Sequence, residues 1–248
     1  MIKTTITIHK GANKIGGSIT EISSGGSRII IDFGADLPGS DKELSKKVNA
    51  EFEIDGVTRG EPNCDAVILT HYHGDHIGLY EKVLHEIPIY IGEIAKKINL
   101  VLTKRLADYH HVPHAALSRA GDFRTYRANE LLTFGNIKVT PFYTDHSAFD
   151  AYMLLIEADG QYILHTGDFR THGKSGSGVL KCLKTYVNKV DAVICEGTRI
   201  DQTEPPMTLR ELEQKAAELM KENKNTFVLC SSTNIDHIWA MYRASETN

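Results

Sequence analysis

At 248 residues the chain is long enough to bury a sizeable core in one large domain, or in one domain and part of another. Its 41% hydrophobic and 24% charged residues are ordinary for a globular protein, and it has no apolar run of about 18 residues that could span a membrane. A net charge of −4 excludes a global basic footprint, so any nucleic-acid binding has to rest on a local patch or on metal ions.

In chain order, strands are predicted over 3–9, 17–23 and 28–33, with Ser24-Gly25-Gly26 as a turn. The first strand starts at the N-terminus and leaves no apolar signal-peptide core, which points to the cytoplasm. Lys10 to Gly17 reads as a Gly-containing turn rather than a P-loop, since it precedes a strand and lacks the G-K-[ST] ending. Asp65 to Thr70 is a short β-branched run and reads as a buried strand. Apolar positions 77, 80, 83 and 84 share one helical face and predict a helix over 77–86. A strand at 87–91 and a helix at 92–107 follow.

His110, His111 and His114, around Tyr109 and Pro113, read as an exposed loop. Arg119, Arg124 and Arg127, with Phe123 and Tyr126, read as a solvated charged face. Strands are expected at 136–141, 151–157 and 161–166, the last two forming a hairpin around Asp159-Gly160. Gly173 to Gly178 reads as a flexible loop, not a nucleophile elbow. A helix near 178–187 and a strand at 190–195 complete a mixed α/β order that suits a layered sandwich, sheets inside and helices outside.

Cys64, Cys182, Cys195 and Cys230 have no metal-ligand spacing, and three of them read as buried thiols in a reducing compartment. Residues 201–206 read as a linker, broken by Pro205-Pro206. A helix over 208–223, opened by the capping-box pair Thr208 and Glu211, precedes a strand at 226–231 and a helix at 234–244. Such an α-β-α piece cannot bury both faces alone. The expected division is therefore a domain over 1–200 and the beginning of a second over 201–248.

One segment stands apart: His71-Tyr72-His73-Gly74-Asp75-His76. It puts three imidazoles and a carboxylate in one tight turn, between the end of a predicted strand and the start of a helix, where α/β sheets build their sites. Burying each polar group without a partner costs roughly 1–3 kcal/mol, and a metal ion is the partner that removes that cost. The motif can bind one metal or two. Asp145-His146 and His165-Thr166-Gly167-Asp168 also lie just past strand ends. Alone, His146 reads as a loop histidine and Asp168 as a turn residue. Beside the first motif both become candidate ligands.

These residues resemble the metallo-β-lactamase superfamily over about residues 1–200, through Ile31-Asp32-Phe33-Gly34, His71-x-His73-x-Asp75-His76, His146 and Gly167-Asp168. Cys195-Glu196-Gly197-Thr198 and Cys230-Ser231-Ser232-Thr233-Asn234 resemble its β-CASP branch, which includes ribonuclease J-type enzymes and the 3′-end processing endonuclease of pre-mRNA. The resemblance implies a four-layer αββα sandwich, followed by the start of a β-CASP-type α/β domain. It puts His71, His73 and His146 on one metal, Asp75 and His76 on a second, and Asp168 between them. Glu196 matches the acidic residue that orients a catalytic histidine, so Asp75, Asp168 and Glu196 are the expected catalytic residues.

A nitrogen and oxygen ligand set suits Zn2+, with Mn2+ or Fe as alternatives. Two such ions about 3.5–4 Å apart can hold a bridging hydroxide. Asp32 and Asp145 are candidates to hold a ligand's other N–H, with turn capping the simpler reading of Asp145. The β-CASP pattern has two further His motifs that would fall beyond residue 248, so the chain is expected to be a fragment or a truncation. His237 does not match them and reads as a surface or helix-packing histidine. The implied function is a dinuclear metal-dependent hydrolase of RNA phosphodiesters. A small-molecule ester or phosphoester hydrolase of the same fold and an inactive metal-binding module stay open. RNA or a small phosphoester is the implied partner, with no membrane and with oligomers allowed.

Overall fold

Residues 3–38, 42–109 and 111–246 are described by the computed structural model, and their strands form two sheets. The first half contains β1 (Thr5–Lys10), β2 (Ile19–Ser24), β3 (Ser27–Ile31), α1 (Lys42–Glu51), β4 (Ala66–Ile68), α2 (Gly74–Ile77), β5 (Ile89–Gly92), α3 (Glu93–Asp108), α4 (His114–Gly121) and β6 (Arg124–Tyr126). The second contains β7 (Leu132–Phe134), β8 (Ile137–Tyr143), β9 (Tyr152–Ala158), β10 (Gln161–His165), α5 (Gly176–Tyr186), β11 (Ala192–Ile194), α6 (Leu209–Glu222) and α7 (Ile235–Glu246). The sheets run β1-β2-β3-β4-β5-β6 and β11-β10-β9-β8-β7. The first is parallel from β3 to β6, and in the second only β10 and β11 pair in parallel.

Alternation along the strands makes three apolar layers. Ile29 and Ile31 of β3 and Ala66 and Ile68 of β4 point between the sheets, where they meet Val139, Leu154 and Ile156. Ile30 and Val67 point the other way, under Ala95, Ala116 and Ala120 of α3 and α4. On the far side of the second sheet, Phe142, Met153 and Leu164 meet Val179 of α5. Helix, sheet, sheet and helix therefore stack as the expected αββα sandwich.

Several local expectations change. In place of a helix over 77–86 there is one turn of α2 and a 3-10 turn at Tyr80–Lys82. The loop after β3 and the segment near Val57 capture the backbone first: Leu79 donates to the Phe33 carbonyl and Leu84 to that of Val57. Helix α1 buries no residue, so it had no apolar stripe to betray it. Strands β6 and β7 are each three residues long, too short for a period-two pattern.

The region 226–231 carries no strand; Phe227 and Leu229 are fully exposed and no neighbouring strand pairs with them among the described residues. The end of the Gly173–Gly178 loop is the first turn of α5. Arg119 is no solvated cation, because its guanidinium donates to the carbonyls of Leu84, His85 and Ile87. Phe123 and Tyr126 are core residues. Cys195 and Cys230 are exposed, so the reading of three buried thiols fails. The predicted Thr208–Glu211 capping box is present at the start of α6. His110 lies outside the described residues.

The backbone after β3 is fastened to the His71–His76 segment: Phe33 donates to the His76 carbonyl at 2.7 Å and Ala35 to that of Gly74 at 3.1 Å. Gly34 sits between these two bonds, and a Cβ there would lie 1.8 Å from the Asp75 carbonyl oxygen and 2.8 Å from the Ser18 amide. Both contacts are backbone, which cannot swing aside. Gly34→Ala should therefore cost more than the ~1–3 kcal/mol of ordinary overpacking. The measurement is the thermal midpoint, expected to fall by several degrees or more. A variant that melts with the parent would show that the two loops can part freely.

Candidate metal centre

Because β3 and β4 are parallel, with Ile31 opposite Ile68, Asp32 and the Thr70-His71 pair leave the sheet side by side. Asp32 takes a left-handed φ of 59°, and its carboxylate is completely buried. One oxygen accepts the Thr70 amide at 2.7 Å, both accept the Thr70 hydroxyl at 3.0 Å, and Oδ2 accepts His76 Nδ1 at 2.7 Å. A hydroxyl has one proton to give. With the Thr70 proton on Asp32, the 3.0 Å contact with His71 Nδ1 needs the imidazole as donor. His71 Nε2 is then a bare lone pair. It is buried and has no hydrogen-bond partner.

The other histidines arrive from two directions. His73 and His76 bracket α2, whose first turn is closed by the His76 amide on the His73 carbonyl at 2.9 Å. His146 sits in the loop between β8 and β9. That loop is anchored by Asp150, which accepts the Ile94 and Ala95 amides at the start of α3 and the Tyr152 hydroxyl. Asp168 follows β10 through Gly167, whose φ of 54° makes the turn and whose missing Cβ leaves room for the Tyr152 carbonyl.

Among the described residues two groups bring ligand atoms within 4.8 Å of one another: His71, His73 and His146, and His71, His76 and Asp168. His146 Nε2 is 3.1 Å from His73 Nδ1. Asp168 faces both groups, with Oδ1 3.2 Å from His76 Nε2 and Oδ2 3.7 Å from His146 Nε2. Asp75 lies at the rim, its Oδ2 3.9 Å from His76 Nε2.

Burial, reinforced by the neighbouring imidazoles, holds His71 well below its ordinary pKa. Burial likewise lowers His73, and it pushes His146 down to about 3 against the pull of Asp168. Burial works against charge on His76, but Asp32 and Asp168 overcome it and raise its pKa well above the ordinary value. Burial also opposes the Asp168 charge, yet His76 and the other imidazoles hold that carboxyl below its usual range. The three imidazoles held neutral, His71, His73 and His146, beside an ionised carboxylate and with an orphaned nitrogen lone pair among them, fit a divalent cation. No thiolate faces the cluster among the described residues, which suits a borderline or hard metal.

The remaining expectations divide. Glu196 is beside the cluster but touches no histidine ring; its two oxygens accept the Phe169 and Thr198 amides and so steady the strand end after Asp168. Asp145 accepts from Arg170 Nε at 3.1 Å, and Arg170 also bonds Asp236 on α7. His111 and His114 are exposed and belong to neither group. His237 is half-buried on α7. Sequence reasoning passed over Thr70, which sets the His71 tautomer, and Tyr72, whose hydroxyl donates to the Thr233 carbonyl and accepts the Phe149 amide, each at 3.0 Å. It also passed over His165, a buried strand-end residue that accepts the Gly167 amide. A cavity of about 590 Å3 opens on Asp75, His76 and Asp168 and carries Lys10 and Lys14 on its opposite wall.

Residues 13–232 match the family described as the Metallo-beta-lactamase superfamily. Ribonuclease J of Mycobacterium tuberculosis is 25% identical over 253 residues, covering 94% of this chain and 41% of that protein. Ribonuclease J 1 of Streptococcus pyogenes is 30% identical over 164 residues, covering 64% of this chain and 27% of that protein. The chain thus spans less than half the length of these relatives. A crystal structure of a protein of unknown function from Enterococcus faecalis superposes with a TM-score of 0.78 at 23% identity, over 96% of this chain and 63% of that one. That likeness concerns the fold alone.

Asp32→Asn isolates the role of the buried carboxylate. An Asn amide would meet the His76 N–H donor to donor, leaving a buried group unpaired or forcing the imidazole to turn. Loss of one partner of a buried pair costs about 3–5 kcal/mol. Equilibrium denaturation without added metal should read a loss in that range, and an unchanged midpoint would mean that Asp32 does not hold His76.

Proposed function

The chain belongs to the metallo-beta-lactamase superfamily, and from that premise we propose that it is a dinuclear metal-dependent hydrolase of RNA phosphodiesters. The observation that carries this reading is the orphaned His71 Nε2, buried in the middle of three other imidazoles and Asp168. His71, His73 and His146 would hold one ion, Asp75 and His76 a second, and Asp168 both. When bound, two zinc-like ions supply Lewis acidity toward a phosphoryl oxygen and make water nucleophilic at neutral pH.

The chain's own residues do the rest. Thr70 and Asp32 fix the Nδ1 sides of His71 and His76, so that both Nε2 atoms point to the centre. The two oxygens of Asp168 face different histidines, the arrangement a shared carboxylate needs. Glu196 holds the Phe169 amide and through it the Asp168 backbone. Lys10 is spent on Asp36 and Asn49, whereas Lys14 is half-exposed and shares Asp36 with it. Two ammoniums on one carboxylate leave a positive wall toward an anionic substrate.

RNA is favoured over a small ester because the relatives from Mycobacterium tuberculosis and Streptococcus pyogenes are named ribonuclease J and ribonuclease J 1. Their activity belongs to longer proteins, so the substrate here is an assignment to test. Zinc is the metal proposed from the donor set. No helix among the described residues is long and apolar enough to cross a membrane. Residues 201–248 are read as the start of a β-CASP-type unit, since α6 and α7 pack on each other, with an Arg243–Glu213 ion pair between them.

Elemental analysis of protein purified without chelator should find at least one zinc-like ion per chain, and about two after reconstitution. His73→Ala and Asp168→Ala should each lower that content and abolish hydrolysis, with a moderate fall in stability because bound metal stabilises only the folded state. No metal after reconstitution, or full metal and rate in either variant, would overturn the ligand assignment. Cleavage of a generic phosphodiester but not of labelled single-stranded RNA would move the reading to a small substrate.

A further inference from the structure

On the other side of His146 lies a second cavity, of about 680 Å3, between the β8–β9 loop, α5 and α7. Its size falls within the ~300–1,000 Å3 of small-molecule sites. Four of the side chains on its walls are aromatic and half-exposed: Tyr143, Phe149, Trp239 and Tyr186, the last stacked on Phe142. Tyr143 is backed on one side by Tyr152, at 4.8 Å and 28°, so its other face is left free. Aromatic side chains such as Phe33, Tyr126 and Tyr152 are buried by packing, and these rings are not. An open ring face beside a chemical centre is a stacking platform.

Charge narrows the ligand further. Four aspartate and lysine side chains line the cavity: Asp145, Asp150, Asp236 and Lys174. Arg170 bridges Asp145 and Asp236, one guanidinium shared by two carboxylates, so both are held in ion pairs. Asp150 is used up by two amides of α3 and the Tyr152 hydroxyl. Lys174 has no ion-pair partner among the described residues, so the wall presents one free cation. Flat π faces and one unspent ammonium together describe a site for a planar heterocycle carrying an anionic group.

We propose that this cavity binds a nucleotide, its base stacked among Tyr143, Phe149 and Trp239 and its phosphate on Lys174. The proposal extends the RNA reading above, since a base seated here would lie next to His146, and it names the part of the substrate that the centre itself does not touch. A free nucleotide and one residue of an RNA strand share this chemistry.

Trp239 is the sole tryptophan of the chain, so its fluorescence reports this cavity directly, with or without metal. The full chain is titrated with adenosine monophosphate, hexa-adenylate and ribose 5-phosphate, first with chelator and then with zinc. Both adenine ligands should quench saturably and ribose 5-phosphate should not. Tighter binding of hexa-adenylate marks an RNA subsite, and tighter binding of the monophosphate marks a free-nucleotide site. Phe149→Ala should weaken adenosine monophosphate about tenfold, the loss of one stacking face. Lys174→Gln, at an exposed position that leaves the fold alone, should weaken the monophosphate severalfold and leave unchanged the binding of adenosine, titrated beside it. No saturable quenching up to roughly 10 mM nucleotide, far beyond any useful affinity, would overturn the site. So would equal quenching by ribose 5-phosphate, or a folded Lys174→Gln variant that binds both ligands as the parent does. Nucleotide quenching in a chain that cleaves no phosphodiester would uphold this site while removing the hydrolase reading.

Discussion

The centre depends on one buried carboxylate. Asp32 has no access to water, and an ion in that position carries a desolvation penalty of several kcal/mol unless its lone pairs are used. They are used, by an amide, a hydroxyl and an imidazole. The left-handed backbone that turns the side chain inward adds a cost of roughly 1–2 kcal/mol. What these costs secure is orientation. One acceptor fixes the orientation of His76 directly and the tautomer of His71 through Thr70, so the Nε2 atoms of both rings point at the same place before any cation arrives. Preorganisation of this kind moves the work of gathering ligands into folding.

The sandwich supplies the setting by geometry. Parallel pairing of β3 with β4, and of β10 with β11, sends four chain ends out of the same rim. Three apolar layers beneath it take up the aliphatic side chains of the central strands. Polar and ionisable groups collect at the rim, where the layers end and the backbone turns. The rim is still dry enough to depress the imidazoles, as burial does for His71 and His146. A low dielectric strengthens the interaction between a cation and its ligands, so the depth that makes isolated imidazoles costly makes a filled site strong.

The legibility of these features in the sequence follows from how local their causes are. The His71–His76 motif declares itself because four of its six residues share one chemistry. The strands β2, β3, β9 and β10 are visible because each has a run of β-branched or apolar residues between turn signals. Asp32 was legible only as part of a short pattern; that it reaches both Thr70 and His76 depends on β3–β4 register, which no local signal contains. Arg119, Phe123 and Tyr126 looked like a surface because charge and aromatics alternate there, whereas carbonyls from a distant loop claim the guanidinium. The 226–231 segment fails for the opposite reason. Its composition demands a strand, but a strand exists only with a neighbour, and none is present among the described residues.

Two contacts tie that last part of the chain to the centre. Tyr72, inside the histidine motif, joins the Thr233 carbonyl to the Phe149 amide in the loop that carries His146. Arg170, two residues after Asp168, joins Asp145 to Asp236. Both links run from segments that bear the proposed ligands to the N-terminal end of α7, and each is a side chain with two partners on separate elements. A shift of α7 would therefore pull on the His146 and Asp168 loops together. The Asp32 side of the cluster is fastened within the first sheet and, among the described residues, meets the start of α7 only through Tyr72. The centre thus has one half fixed by the sheet and one half whose position is shared with α7, and the aromatic cavity lies on that second half. Whatever fills the cavity or moves α7 acts on the same two loops, which makes this edge the place where substrate and scaffold can influence each other.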